Sequence, residues 1–582
     1  MFIKSKKILN EAKSYLSEEP CKDYRMQIEK LLINLKDKDD YTFAELNDRL
    51  LGNFSFGTAG LRAKMQGGYK RINDVTVARV SWALGTYLLQ KNKICTVVIG
   101  FDARINSIHF SKLSAKIFIG MGIKVYYFDN VIPTPILSFS VLKLNATAGI
   151  MITASHNAAE YNGYKAYWNN GAQIIEPHIG NITKLMNQAP CFCDIIKLSS
   201  FNEKFNNLYC NIPYNIVESY FFYIKQNKLS SPKKKQLNLK IVYTALHGVG
   251  GKHVLRALND AGFYNVDIVK SQQKPDGLFP TIKFPNPEEK GSLDKIIAAA
   301  NKHNSELALA NDPDADRLAV LVRRKNSKNI TLLTGNQVGI LLGYYSICYA
   351  KKNEKKNLLV ISTLVSSRML EQLANYYDVK YIETITGFSH IINAGINDEC
   401  TNNSKFIFGF EEALGYCFDD FVRDKDGICA AVRFAQFFAE LKGVGKDPLL
   451  LLDELAIKHG NFQDLQWSKV FNSPSASVKI KKIMNFFRND FKCFKLLNNE
   501  KIVKKRDLKN ELESYDILTY FTNLNTRIVV RPSGTEPKIK FYIETIDYVE
   551  NKSSLMVSRM KNYIKLKKIK KEFLNKIEYF NR

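Results

Sequence analysis

Residues 307–322 have the sequence LALANDPDADRLAVLV, in which a polar loop lies between two apolar runs. The runs, 307–310 and 318–322, have the length and composition of short buried strands. A loop between two such strands is a poor place for an ordinary solvated acidic turn. The stretch therefore predicts a strand, a functional loop and a second strand within an α/β protein.

The loop carries three carboxylates, Asp312, Asp314 and Asp316, at alternate positions. On an extended segment this spacing places all three on one side, where they repel one another unless a cation binds between them. A small cluster of hard oxygen ligands suits Mg²⁺. A calcium-binding EF-hand loop is excluded, because Arg317 stands where that motif needs Gly and Arg323 where it needs Glu.

Strand-like and helix-like segments alternate on both sides of this loop, which predicts three α/β units and a smaller α+β domain after them. The predicted units comprise 96–100, 111–119 and 124–128, then 240–245, a helix after Gly250 and 266–269, and then 358–362, 366–377 and 379–384. In the last domain we predict strands at 526–530 and 539–544 and a lysine-rich helix from about 553. The predicted domains are 1–208, 209–325, 326–448 and 449–582.

Composition indicates a globular protein with several cores. The chain has 582 residues, of which 45% are hydrophobic and 24% charged, too many residues for one core and too apolar for a disordered chain. The segment most like a membrane helix, 338–350, is too short to span a bilayer and is interrupted by glycines. The N-terminus lacks the apolar core of a signal peptide. We therefore expect a cytoplasmic protein with no membrane segment.

The charge and the cysteines are less informative. Lys and Arg number 84 against 57 Asp and Glu, but the basic residues are scattered and no nucleic-acid-binding motif accompanies them, so we expect no nucleic-acid partner. A positive field also attracts small anionic substrates. The ten cysteines form no CxxC pair, which argues against a zinc site or a disulfide framework.

Two further loops follow predicted strands. The segment TASHN, 153–157, comes after the apolar run 148–152, at a strand end where open α/β sheets bind ligands, although a lone Ser–His pair is a weak signal. The segment RPSGTEP, 531–537, offers one guanidinium, two hydroxyls and a glycine, which could bind a phosphate or form a plain turn. Neither HGVGG, 247–251, nor 443–446 completes a nucleotide-binding motif.

Ten motifs in this order resemble the α-D-phosphohexomutase superfamily, and within it the phosphoglucomutase/phosphopentomutase branch. They are FGTAGLR (56–62), TASHN (153–157), NGYKAYW (162–168), HGVG (247–250), PNPEE (285–289), NDPDADR (311–317), TGF (386–388), GFEEALGY (409–416), DKDG (424–427) and RPSGTEPKIK (531–540). The resemblance spans nearly the whole chain. It implies three related α/β domains around a central cleft plus a smaller α+β C-terminal domain, which agrees with the pattern of strands and helices.

The resemblance also implies a role for individual residues. Ser155 would carry the phosphoryl group and complete a Mg²⁺ site with the three aspartates of 312–316, and Lys165 would be a proton shuttle. The other implied residues are Arg62, His156 and Arg317 around the transferred phosphoryl group, Thr386, Gly387 and Glu411 at the sugar, and Arg531, Ser533 and Thr535 at the second phosphate.

The activity so implied is a mutase that interconverts the 1-phosphate and the 5- or 6-phosphate of ribose, deoxyribose and glucose. It would use a phosphoserine enzyme, a bisphosphate intermediate, Mg²⁺ and glucose 1,6-bisphosphate as activator, with sugar phosphates as its partners and a monomeric or dimeric state. The alternatives are a sugar bisphosphate synthase and a weakly active regulatory homologue. The sequence departs from the family pattern at Ala158, Ala159, Tyr161 and Ser389, which favours the regulatory alternative.

Overall fold

The structure of the protein is a computed structural model. It describes residues 2–35, 40–52, 54, 56–57, 60–198, 207–227, 229, 238–325, 327–353, 357–471, 476–489, 496–497, 500–511, 515–533 and 537–578. Within these ranges, no helix combines the length and the apolar character needed to span a bilayer.

The chain forms two compact units. The first comprises Met1–Leu364 and Asp378–Pro448, and the second comprises Val365–Tyr377 and Leu449–Arg582. The first unit contains three sheets and the second contains one. The four domain boundaries predicted from the sequence stay predictions.

Three helices precede the first sheet, and the sequence analysis did not predict them. They are α1 Phe2–Glu18, α2 Lys22–Leu35 and α3 Asp40–Leu50. Their buried side chains, including Ile8, Ile28 and Leu46, form a cluster with Val75 of the helix that follows. Tyr15 is fully buried in this cluster, and its hydroxyl accepts a hydrogen bond from Asn73 Nδ2 at 3.0 Å.

The first sheet has six strands in the order β1-β5-β4-β2-β3-β6. Its region comprises β1 Leu61–Lys64, α4 Asp74–Lys91, β2 Thr96–Phe101, α5 Ser107–Gly120, β3 Lys124–Tyr127, α6 Thr134–Lys143, β4 Ala148–Ile152, β5 Tyr161–Trp168, α7 His178–Asn187, α8 Phe192–Leu198, β6 Tyr209–Asn211 and α9 Tyr214–Gln226. Strands β2, β3, β4 and β6 are parallel, whereas β1 and β5 are antiparallel additions. All five residues of β4 are buried, as expected of a central strand covered on both faces.

The second sheet has the strand order β11-β10-β9-β7-β8. Its elements are β7 Ile241–Thr244, α10 Gly251–Asp260, β8 Val266–Ile268, a 3-10 turn Lys270–Gln272, α11 Asp294–Lys302, β9 Leu307–Ala310, β10 Ala319–Val322 and β11 Thr331–Leu332. Strand β9 runs parallel to β7 and antiparallel to β10. The two strands predicted on either side of the aspartate loop are thus present and paired.

The third sheet has the strand order β13-β12-β14-β15. Its elements are α12 Gly335–Lys352, β12 Leu358–Thr363, β13 Lys380–Thr384, α14 Phe388–Asn402, β14 Lys405–Glu411, β15 Gly415–Cys417 and α15 Gly427–Gly443. Helix α13 Met369–Tyr376 follows β12 along the chain but belongs to the second unit. The functional loops of all three sheets begin where β4, β9 and β14 end. These strands lie inside their sheets, so their carboxyl ends can hold side chains rigidly.

The second unit is built on an antiparallel sheet in the order β16-β21-β20-β19-β18-β17. Its remaining elements are α16 Pro448–His459, β16 Asn461–Val470, α17 Ala476–Asn489, β17 Leu496–Leu497, β18 Glu500–Asp507, α18 Leu508–Glu511, β19 Leu518–Thr522, β20 Arg527–Pro532, β21 Lys538–Asp547 and α19 Lys552–Glu578. Helices α17 and α19 cover the sheet through residues such as Phe487 and Phe573. The predicted fold class, three α/β domains and a smaller α+β domain, is confirmed.

Candidate active site

Ser155 lies in the loop after β4 and has a left-handed backbone, with φ of 52°. Its side chain is buried, and its amide donates to Thr153 Oγ1 at 2.9 Å. Arg104 donates from its guanidinium to the main-chain carbonyls of Ser155, Asn157, Ala158 and Tyr161. One buried arginine therefore holds the whole loop, including Ala158 and Tyr161, where the sequence departs from the family pattern.

The Ser155 hydroxyl lies between a carboxylate and an imidazole. Its Oγ donates to Asp312 Oδ2 at 2.8 Å and lies 3.1 Å from His156 Nδ1. Since the hydroxyl proton points to Asp312, the oxygen can accept from the imidazole N–H. The loops after β4 and β9, distant in sequence, meet at this oxygen.

The aspartate loop is held by close contacts with glycines. A Cβ at Gly248 would lie 2.3 Å from Pro313 Cα, and one at Gly427 would lie 2.4 Å from Arg317 O. Val249 N–H donates to Pro313 O at 2.7 Å, which fixes the loop between Asp312 and Asp314. The glycines of HGVG and DKDG thus allow two neighbouring segments to pack against the aspartate loop.

Replacing Gly248 by Ala tests this packing. The added methyl group must displace Pro313, and a shift of about 1 Å in a reacting group can cost about 10²-fold in rate. We expect Gly248→Ala to lower kcat by about that factor and to raise the Mg²⁺ concentration needed for half-maximal activity. Gly395→Ala, where a Cβ would lie 3.3 Å from the Phe406 ring, is the matched control. Equal activity of the two variants would contradict this account.

The three aspartates are buried, and one carboxylate oxygen from each lies within 4.8 Å of the others. Lys165 Nζ donates to Asp314 Oδ2 at 2.6 Å and to Asp316 Oδ2 at 2.9 Å. Thr134 Oγ1 also donates to Asp314 Oδ2, at 2.7 Å. The second oxygens of Asp314 and Asp316 are buried and accept no hydrogen bond from the described residues.

The electrostatics of this cluster fit a dication. Burial would raise the pKa of Asp314 and Asp316, but Lys165 holds both below their usual range. Burial and the two neighbouring carboxylates raise the pKa of Asp312 well above its usual value. A dication would relieve the repulsion that helps to raise the pKa of Asp312, and the two unbonded oxygens are suitable Mg²⁺ ligands.

Two arginines border the cluster. Arg62, in β1, donates from Nη1 to Asn157 Oδ1 at 3.3 Å, and burial lowers its pKa while the aspartates oppose that shift. Arg317 donates its main-chain N–H to Asp312 Oδ1 at 3.0 Å and its Nη1 to Glu288 Oε2 at 3.4 Å. Burial alone would lower the pKa of Arg317, but Glu288 and the aspartates raise it above its usual value. Both guanidiniums remain protonated.

Glu411 ends β14, and its register partner in β15 is Gly415. Gly415 also pairs with Arg317 in an isolated bridge, which connects the hairpin to the aspartate loop. A Cβ at Gly415 would lie 2.5 Å from Lys425 Cδ and 3.0 Å from Glu411 Cγ. The absence of a side chain there lets Glu411 and Lys425 approach the same point.

Lys425, from DKDG, is buried, and its Nζ lies 3.3 Å from Asp316 Oδ2 and 3.1 Å from Asp424 Oδ1. The ammonium also lies 5.2 Å from the centre of the Phe388 ring. Phe388 is the first residue of α14 and directly follows the predicted sugar-binding pair Thr386 and Gly387. This pair therefore immediately precedes a side chain that contacts the buried lysine. Burial alone would lower the pKa of Lys425, but Asp316 and Asp424 raise it.

The predicted phosphate loop belongs to the second unit. Arg531 lies in β20 and donates from Nη2 to Tyr542 Oη at 3.1 Å. Ser533 donates its main-chain N–H to Lys538 O at 2.8 Å. Thr535 lies outside the described residues.

Sequence reasoning missed several residues that organise the site. Glu288 and Lys425 lie within the motifs PNPEE and DKDG, so the motifs were a signal although no role was given to these two residues. Arg104 and Thr134 had no signal, because each is a single polar residue whose contacts depend on the folded chain. Ser389, where the family pattern has Lys, is buried in the first turn of α14, and its carbonyl accepts from Asn393 Nδ2 at 2.7 Å.

The chain matches four family models that follow one another along the sequence. They are the α/β/α domains I, II and III and the C-terminal domain of phosphoglucomutase/phosphomannomutase, at residues 53–190, 218–325, 334–456 and 498–554. Among solved structures, a phosphoglucomutase/phosphomannomutase family protein of Burkholderia thailandensis has the same fold, with a TM-score of 0.63, 20% identity, and coverage of 89% of this chain and 98% of that one.

Three curated relatives act on different sugars by name. A Haemophilus influenzae protein named "Probable phosphomannomutase" is 38% identical, covering 81% of this chain and 93% of the relative. The phosphoribomutase of Saccharomyces cerevisiae is 33% identical, and the match covers 92% of this chain and 93% of the relative. The phosphoglucomutase of Staphylococcus epidermidis is 35% identical, and the match covers 87% of this chain and 94% of the relative. The protein is thus a phosphotransferase of the sugar-phosphate mutase type, and it belongs to the phosphoglucomutase/phosphomannomutase family of α-D-phosphohexomutases.

Proposed function

We propose that the enzyme interconverts the 1-phosphate and the terminal phosphate of ribose, deoxyribose and glucose through a phosphorylated Ser155 and a sugar bisphosphate. The observation that carries this proposal is the hydrogen bond from Ser155 Oγ to Asp312 Oδ2, 2.8 Å long. A serine hydroxyl beside a candidate dication site supports the role of phosphoryl carrier. The names of the yeast and staphylococcal relatives support ribose and glucose phosphates as substrates.

In the first step, a hydroxyl of the sugar monophosphate attacks the phosphorus of phosphorylated Ser155. The new oxygen–phosphorus bond forms as the bond to Ser155 Oγ breaks, the attacking hydroxyl gives up its proton to the proton shuttle Lys165, and the departing Ser155 Oγ takes up a proton. The product is a sugar bisphosphate and free Ser155. After the bisphosphate reverses its orientation in the site, its other phosphoryl group passes to Ser155 by the reverse chemistry. Glucose 1,6-bisphosphate would activate the enzyme because it phosphorylates a free Ser155 by this same step.

The family depends on Mg²⁺, and Asp312, Asp314 and Asp316 would hold the ion beside Ser155. When bound, the dication offsets negative charge on the phosphoryl oxygens. Arg62 and Arg317 bring two further cations to the phosphoryl oxygens, and their planar guanidiniums suit bidentate contact with phosphate. Catalysis in this arrangement is mainly positioning and electrostatic stabilisation.

Lys165 is suited to move the proton. Burial alone would lower its pKa, but Asp314 and Asp316 raise it, so the ammonium is charged in this arrangement. Sharing those two carboxylates with a dication weakens their hold on the ammonium and lowers the lysine pKa towards the range of a proton shuttle. His156 Nδ1, 3.1 Å from Ser155 Oγ, can stabilise the serine oxygen as it leaves phosphorus.

Sugar and second phosphate would be held by separate groups. Glu411 offers acceptors for ring hydroxyls, with Thr386 and Gly387 contributing from the loop before α14. In the second unit, Arg531, Ser533 and Thr535 would bind the phosphate that is not transferred. These contacts involve groups that pentose and hexose phosphates share, which supports activity on both.

Substrate preference is expected to depend on Ala413. Hexose-specific members of the family commonly have Ser at this position. A site that lacks this hydroxyl is less selective between pentose and hexose phosphates. We expect ribose 1-phosphate and glucose 1-phosphate both to be converted, with the pentose favoured. Ala413→Ser should shift the kcat/KM ratio towards glucose 1-phosphate by about 3- to 10-fold.

The measurement is a coupled assay of both substrates with a trace of glucose 1,6-bisphosphate. Ala299→Ser, the same change in α11 at another half-buried position, controls for a general effect of the hydroxyl. A strong glucose preference that Ala413→Ser leaves unaltered would show that this position does not set the choice. No conversion of either sugar under these conditions would refute the proposed function.

A further inference from the structure

A cavity of about 460 Å³ lies away from the aspartate cluster, between the end of β3, α9 and α10. Most of its lining residues are aromatic or aliphatic, among them Tyr127, Val217 and Phe221. Pockets of a few hundred Å³ with an apolar lining and a few polar groups are typical of small-molecule sites. The cavity also lies beyond the carboxyl end of β3, a parallel strand, where open α/β sheets bind ligands.

His253, in α10, is the buried polar group of this cavity, with 4% of its surface exposed. Its Nδ1 lies 2.9 Å from Val249 O, and since a carbonyl oxygen only accepts, Nδ1 carries the proton. Burial lowers the pKa of His253 to about 4, so the ring is neutral at physiological pH. Its Nε2 is therefore a bare acceptor, and no described residue donates a hydrogen bond to it.

The rim of the cavity carries complementary charges. Arg256 is paired with Glu218, with Nη1 to Oε1 at 2.7 Å. Lys252 and Asp129 have no ion-pair partner within the part of the chain that the structure describes. The first turn of α9 also borders the cavity, and its N-cap, Pro213, provides no side-chain cap. Free amides at a helix N-terminus and a lysine attract an anionic group, whereas Asp129 and His253 accept hydrogen bonds from N–H donors.

These features point to one chemical class. The geometry points to a nucleoside monophosphate as the ligand, with its base against the apolar lining, its amino group at His253 Nε2 and its phosphate at Lys252 and the first turn of α9. The site is separate from the residues proposed for catalysis.

The ligand would also be connected to the aspartate loop. His253 Nδ1–H donates to Val249 O at 2.9 Å, and Val249 N–H donates to Pro313 O at 2.7 Å. Pro313 lies between Asp312 and Asp314, so two consecutive hydrogen bonds connect the cavity to the proposed Mg²⁺ ligands. A ligand that fixes the ring of His253 therefore favours one position of this loop and should change the apparent affinity of the enzyme for Mg²⁺.

Calorimetric titration of the full chain tests the site without any assay of turnover. We expect adenosine monophosphate to bind, adenosine to bind about tenfold more weakly for want of the phosphate, and inorganic phosphate alone not to bind there. Val217→Trp, which fills the cavity from α9, should abolish binding, and Lys252→Gln should weaken it by about 5-fold. Lys116→Gln, an exposed lysine on α5, should leave binding unchanged.

Absence of binding by adenosine monophosphate, or binding that persists in Val217→Trp, would overturn the site. Equal binding of inorganic phosphate would show an anion site only and would overturn the ligand class. The second readout rests on the proposed function: the Mg²⁺ dependence of mutase activity should shift with adenosine monophosphate in wild type and stay fixed in Val217→Trp. Binding with no such shift would refute the connection to the loop but not the mutase activity, which the sugar-phosphate assay tests separately.

Discussion

Ser155→Ala should abolish mutase activity, with a loss of at least about 10⁴-fold in kcat. The substitution removes the one atom to which the phosphoryl group is proposed to be attached, and no neighbouring group can replace it. The fold should survive, because the residue keeps a Cβ at φ of 52° and the loop is held through its main-chain carbonyls by Arg104. Activity with both ribose 1-phosphate and glucose 1-phosphate is the measurement.

Ser138→Ala is a matched control for this variant. Ser138 is also buried, in helix α6, and its hydroxyl donates to Gly171 O at 2.8 Å rather than to an aspartate. The control should keep near-normal activity, with at most a modest loss of stability from one hydrogen bond. Ser155→Ala with the activity of the control would remove Ser155 from the mechanism.

Asp312→Asn should lower the activity of the enzyme and raise the thermal stability of the metal-free protein. Loss of one charged ligand where charge develops should lower Mg²⁺-supported activity by about 10³-fold. In chelator, however, the same variant should unfold at a higher temperature than wild type, because it removes one of three mutually repelling buried carboxylates. The amide can still satisfy its neighbours, with its oxygen towards Arg317 N–H and its NH₂ towards Ser155 Oγ.

Thermal denaturation with and without Mg²⁺ is the second measurement for this variant. Wild type should gain stability when Mg²⁺ is added, and Asp312→Asn should gain much less, since a ligand that binds only the folded state stabilises it. Asp267→Asn, at a half-exposed carboxylate, is the control and should behave as wild type. A destabilised Asp312→Asn in chelator, or one with full activity, would contradict the metal site.

The strands that bear the functional loops were predictable because of their burial. Strands β4 and β9 were predicted within a residue of their observed bounds, since a strand covered on both faces is a continuous apolar run. The aspartate loop was predictable because three alternating carboxylates between such strands repel one another unless a cation binds them. The meeting of Ser155 with Asp312 was implied by the family resemblance alone, because it depends on how two sheets pack.

Other parts of the molecule carried no readable signal. Helices α1 to α3 have no motif, and their packing depends on tertiary contacts such as Tyr15 with Asn73. Arg104 is one arginine among many, and only the folded chain brings its guanidinium to the carbonyls of the Ser155 loop. The glycines of HGVG and DKDG matched family motifs, but the sequence could not tell why glycine is needed. The reason is the close approach of Gly248 and Gly427 to the aspartate loop.

The central claim is that Ser155 carries the phosphoryl group between the two positions of the sugar. The most direct test incubates the enzyme and Mg²⁺ with glucose 1,6-bisphosphate labelled in its phosphates, followed by peptide mass spectrometry and a chase with unlabelled ribose 1-phosphate. We predict label on Ser155, transfer of that label to the pentose during the chase, and no labelling of Ser155→Ala. Label on another residue, or a label on Ser155 that the sugar phosphate cannot remove, would contradict the account.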